Sequence, residues 1–89
     1  GEKLIDLKSK TVMPGLIDMH VHLESETNPG KYMETFTFNP ADYAYQSVVF
    51  AERTLMTGFT AVRDLGGSGV NISLRNAINK GLIKGPRVY

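Results

Sequence analysis

The chain has 89 residues, a formal net charge of +1, no cysteine, and 42% hydrophobic against 21% charged residues. The near-neutral balance leaves no electrostatic footprint for nucleic acid or an anionic membrane surface. Internal disulfides and thiolate metal ligands are excluded, no apolar run reaches the ~20 residues that span a bilayer, and the length suggests one small domain with a limited core.

Residues 1–13 open with Leu4, Ile5 and Leu7, turn in the polar run Lys8-Ser9-Lys10, and resume with Thr11-Val12-Met13. This pattern predicts a short hairpin. Pro14-Gly15 separates it from the next segment. Ile17 to Leu23 then reads as a strand, on which successive side chains point to opposite faces. Ile17, Met19, Val21 and Leu23 share an apolar face that is expected to be buried. Asp18, His20 and His22 share the other, and Glu24 continues their parity. His20 and His22 are the only histidines of the chain. Imidazoles at i and i+2 aim at one point, as two ligands of one metal ion would, at about 2.0–2.1 Å each for zinc. The alternative is a pair of core histidines with hydrogen-bond partners. Asp18 is expected near the pair, either as a structural group or as a partner that orients the histidines.

Residues 24–39 are polar, lack clear periodicity and carry the turn Asn28-Pro29-Gly30, the mark of a long loop at a site rim. Tyr32, Phe36 and Phe38 are its expected hydrophobic anchors. Glu24 is expected either as a solvated loop carboxylate or as a substrate contact there, where its charge would favour an amine or guanidine. Asn39-Pro40-Ala41-Asp42 starts a helix: a capping side chain, a proline at the first turn and an acid at the positive end of the dipole. Ala41, Ala44, Val48, Ala51 and Leu55 form one apolar stripe, and Gly58 ends the helix, which is expected over 40–57.

Phe59 to Leu65 reads as a second strand, so strand, helix and strand make a βαβ unit with parallel strands. Arg63 and Asp64 point oppositely at its end, and parity with Thr60 and Val62 favours Asp64 towards the site, as a substrate contact or a structural hydrogen-bond partner. Gly66-Gly67-Ser68-Gly69 is a glycine-rich turn before a helix. It could cradle phosphate through backbone N–H groups, although it lacks the G-x-G-x-x-G order and the P-loop lysine. Residues 72–80 form a short helix with Leu74, Ala77 and Ile78 inside and Gly81 as its cap. Arg87-Val88-Tyr89 begins a third strand.

The run Pro14-Gly15-Leu16-Ile17-Asp18-Met19-His20-Val21-His22 resembles the first barrel strand of the metal-dependent amidohydrolase superfamily. Gly58-Phe59-Thr60-Ala61-Val62-Arg63-Asp64 resembles its second strand, above all in imidazolonepropionase-like and Xaa-Pro dipeptidase-like members, and Gly85-Pro86-Arg87-Val88 also fits. The resemblance implies an α/β fold: the first βαβα part of a (β/α)8 TIM-type barrel over residues 14–89, preceded by a hairpin of a small β-sandwich domain in residues 1–13. A complete barrel needs ~250 residues, so the chain is expected to be the N-terminal part of a larger enzyme and inactive alone.

The resemblance further implies that His20 and His22 are ligands of a divalent metal, zinc foremost, in a site of one or two ions. The remaining ligands and a proton-shuttling Asp would come from later strands. The enzyme would hydrolyse C–N bonds of amide or peptide type through a metal-activated water, on a small-molecule or dipeptide-like substrate. A homo-oligomer in the cytoplasm, without nucleic-acid or membrane partners, is the accompanying expectation. Two other readings stand beside it: a non-catalytic metal-binding or structural fragment, and a phosphate-binding module built on Gly66–Gly69.

Overall fold

The structure, a computed structural model, describes all 89 residues, Gly1–Tyr89. Its elements run β1 (Leu16–Val21), α1 (Lys31–Thr37), α2 (Pro40–Met56), β2 (Phe59–Asp64), α3 (Val70–Asn79) and β3 (Arg87–Val88). The strands form one parallel sheet in the order β1-β2-β3. Parallel neighbours need a crossover. Here α2 links β1 to β2, and α3 links β2 to β3. Parallel strands joined by crossover helices fit the opening of a (β/α)8 barrel, the fold that the family resemblance implies. No helix is long and apolar enough to cross a membrane.

Helix α2 starts where its capping residues dictate. The Asn39 side chain accepts from the Ala41 and Asp42 N–H groups, and the Asp42 carboxylate accepts from the Asn39 N–H at 2.8 Å. This reciprocal box satisfies donors that the first turn leaves free. Small residues, Ser47 and Ala51, are the buried ones on α2, so the helix lies close to β2. The core comprises Leu23, Ala51, Val62, Leu74 and Val88, with Val21, Val48, Phe59 and Ile78 packed around it. Each fully buried Leu or Val contributes about 1.5–3 kcal/mol. Below the core, Gly15 lies so close to Thr60 that a Cβ at position 15 would overlap it, which is why the break before β1 must be glycine.

Four expectations need correction. Residues 1–13 do not pair as a hairpin: only the turn forms, closed by the Lys10 N–H to the Leu7 carbonyl at 2.8 Å. Leu4, Ile5, Val12 and Met13 are exposed, and two strands with no covered face are marginal in water. The loop expected over 24–39 contains α1. Its start is set by the Asn28 side chain, which accepts from the Gly30 N–H at 2.8 Å, and its exposed aromatics, Tyr32 and Phe36, touch only edge to face along the helix. Of the expected anchors, Phe38 alone packs on another element, against Tyr43 of α2. Helix α3 starts at Val70, not residue 72, and Val70 is itself buried.

The fourth correction concerns β1. Its ladder ends at Val21, and its apolar face is covered only at the far end: Ile17 and Met19 are 63% and 60% exposed, while Leu23 is 3% exposed. The strand lies at the edge of the sheet, and α2 packs on β2. The register also breaks. Asp18 pairs with Val62 and Val21 with Asp64, so β1 uses one more residue than β2 across that interval. Such a bulge interrupts the strict alternation of faces.

Candidate functional site

The site lies at the C-terminal ends of β1 and β2. Val21 and Leu23 pack towards the core, so His20 and His22 stand on the opposite, exposed face. Their ring centroids are 5.2 Å apart, with planes at 78°. Two imidazoles bonding one ion tetrahedrally at about 2.0–2.1 Å have centroids roughly 5 Å apart. The rings meet edge to face, and the hydrogen bond at His20 uses its backbone N–H. Neither imidazole takes part in a hydrogen bond within these residues. The donor chemistry and spacing fit two ligands of a divalent ion. The chain has no cluster of three or more His, Cys, Asp or Glu that could hold one, whereas a catalytic zinc takes three protein ligands.

Asp18 acts on the main chain: its Oδ1 accepts from the His20 N–H at 3.0 Å. It thereby shapes the bulged backbone carrying the first histidine and does not touch either ring. His22 lies one residue past the last paired residue of β1. It borders a cleft of about 340 Å³ lined also by Glu24, Ser25, Lys31, Tyr43, Gly66 and Gly67.

Glu24 does not project into solvent as a free loop carboxylate. It is 8% exposed. Both carboxylate oxygens accept from the Ser68 N–H, and Oε2 also accepts from the Ser68 hydroxyl at 2.7 Å. Its backbone carbonyl accepts from Gln46 Nε2 at 2.7 Å. Gly67, with φ at 155°, has no room for a Cβ beside this carboxylate. The glycine-rich turn thus does bind an anion through its backbone, but the anion is the chain's own Glu24. That contact uses the Ser68 N–H, so the turn is not an open phosphate cradle.

The orientation of Asp64 also needs correction. Val62 packs in the core beneath Ala51 and Leu74, so Asp64 shares the helix-side direction, and Arg63, exposed, takes the face of His20 and His22. Asp64 Oδ2 accepts from the Leu23 N–H at 3.2 Å, and Oδ1 is buried without a hydrogen-bond partner. Val62 is a core residue, and reading it as site-facing reversed the assignment. Ser68 and Gln46 were not singled out by the sequence pattern. Ser68 carried a faint signal as the lone side-chain donor among three glycines, whereas nothing local marks Gln46, whose partner is 22 residues away.

The model of the amidohydrolase family matches residues 11–89. No curated protein matches the chain. Among solved structures it is similar to a Xaa-Pro dipeptidase with methionine bound in the active site, at 42% identity and TM-score 0.77, covering 85% of this chain and 19% of that one. A prolidase complexed with N-methylphosphonate-L-proline is 42% identical with TM-score 0.77, over 96% of this chain and 20% of the other. An ochratoxinase from A. niger is 33% identical with TM-score 0.70, over 86% of this chain and 17% of the other. The chain thus spans a fifth or less of the length of these relatives.

Proposed function

The chain belongs to the amidohydrolase family, and from that premise we propose that it supplies the first two ligands of the metal site in a hydrolase that cleaves C–N bonds of small, dipeptide-like substrates. The ligands are His20 and His22, and the observation that carries the proposal is their convergence at the strand end, 5.2 Å apart on an exposed face. Zinc is the favoured ion, as one or two atoms. When bound, such an ion lowers the pKa of a water to about 7 and polarises a carbonyl. The chain's own residues orient and enclose: Asp18 holds the His20 backbone, the Glu24–Ser68 contact joins the two loops, and Lys31 and Tyr43 border the cleft beside His22. The dipeptide class is favoured by likeness to a Xaa-Pro dipeptidase and a prolidase.

The test measures metal content and hydrolysis of a panel of Xaa-Pro dipeptides by the full-length protein, with His20→Ala and His22→Ala beside it. Each variant is expected to lose metal and at least a hundredfold in kcat/KM. Wild-type metal content in both variants would sink the ligand assignment. Metal without hydrolysis of any amide substrate would sink the reaction class.

A further inference from the structure

We propose that Glu24 is a positioning residue for His22, acting through a clamp that joins the exits of β1 and β2. The inference rests on the reading of His22 as a metal ligand. The regular ladder of β1 stops at Val21, whose carbonyl accepts from the Leu65 N–H at 3.2 Å. His22 therefore has no strand partner of its own. A ligand on unpaired backbone is held only by its flanking residues, and a loosely held ligand weakens a metal site.

The two residues after His22 are fixed from three directions. The Leu23 N–H donates to Asp64 at the end of β2, and the Leu23 side chain is buried in the core. The Glu24 carbonyl accepts from Gln46 of α2. The Glu24 carboxylate, almost fully buried, takes the N–H and hydroxyl of Ser68. The exits exchange carboxylates: Asp64 of β2 reaches the backbone after β1, and Glu24 after β1 reaches the backbone after β2. With its oxygens engaged in this way, Glu24 serves the geometry of His22 instead of meeting substrate.

The test uses the full-length protein. Hydrogen exchange of the amides of residues 22–25 in the metal-free protein reads the clamp directly. Glu24→Ala is expected to speed it about tenfold, and Glu24→Gln, which keeps one acceptor oxygen for Ser68, by less. Zinc affinity, measured by chelator competition, should fall about 10–100-fold in Glu24→Ala. In the same variant kcat should drop while KM for a dipeptide holds. Should Glu24→Ala fail to fold, Ser68→Ala, a smaller change on an exposed turn, is expected to move exchange and affinity in the same direction. Wild-type exchange in the folded variants overturns the proposal. So does a raised KM with kcat and zinc affinity intact, which would make Glu24 a substrate contact. Wild-type metal content in His20→Ala and His22→Ala would instead refute the ligand assignment, and the purpose proposed for the clamp with it. Faster exchange in Glu24→Ala would still separate that failure from the absence of a clamp.

Discussion

Gly67→Ala is expected to destabilise the protein largely through Glu24. The glycine has φ at 155°, which L side chains rarely adopt, and holding another residue in such a conformation costs about 1–3 kcal/mol. The added Cβ would also overlap the Glu24 carboxylate and drive it off Ser68. A hydrogen bond to a charged group contributes about 1.5–3 kcal/mol, and this carboxylate engages two donors of Ser68. Ser68 is exposed, so water takes over part of the interaction, and displacement should cost about 2–3 kcal/mol. Gly67→Ala then costs roughly 3–6 kcal/mol, and Glu24→Ala roughly 2–3 kcal/mol. The double variant should cost no more than Gly67→Ala alone, because the carboxylate that the new methyl would displace is already gone. The coupling is therefore about 2–3 kcal/mol. Urea denaturation of the four proteins, followed by circular dichroism, measures it. Additivity within about 0.5 kcal/mol would show that Gly67 and Glu24 act independently and would refute the coupling through the carboxylate.

Three further substitutions test the frame around the site. Asn39→Ala removes the acceptor for two N–H groups of α2 and should cost about 1 kcal/mol in urea denaturation. Ala51→Leu forces three heavy atoms into a fully buried contact, and a loss of about 1–3 kcal/mol is expected; an unchanged denaturation midpoint would mean that α2 does not press on β2. Arg53→Ala breaks an exposed ion pair with Glu26 at 3.4 Å, and its effect on the same midpoint should stay within about 1 kcal/mol.

The parts of the fold legible in the sequence are those set by local chemistry. The bounds of α2 follow from Asn39, Pro40 and Asp42 at one end and Gly58, at φ 106°, at the other. The strand, helix, strand order, and hence the parallel sheet, follow from periodicity. The convergence of His20 and His22 was likewise readable from a spacing of two. The features that escaped depend on partners distant in sequence. Which face of β2 meets the helices is decided by Ala51 and Leu74 closing over Val62, and the alternation Thr60, Val62, Asp64 carries no label for inside. The bulge in β1 is a mismatch between two strands, invisible in either alone. Glu24 looked like a rim carboxylate because its partner Ser68 is 44 residues away.

The same distance explains why the site needs carboxylates at 24 and 64. A parallel ladder ends with its strands, and the loops beyond them have backbone N–H groups with no partner in the sheet. Those groups are positive ends of dipoles, and a carboxylate satisfies them more strongly than a neutral acceptor does. Glu24 and Asp64 each do this for the other strand's exit. The cost is local: a buried charge tolerates little loss of its partners, which makes Gly67 and Ser68 as constrained as Glu24 itself. The glycine-rich turn, which in isolation suggests a bound phosphate, is thus explained by an anion that the chain already supplies.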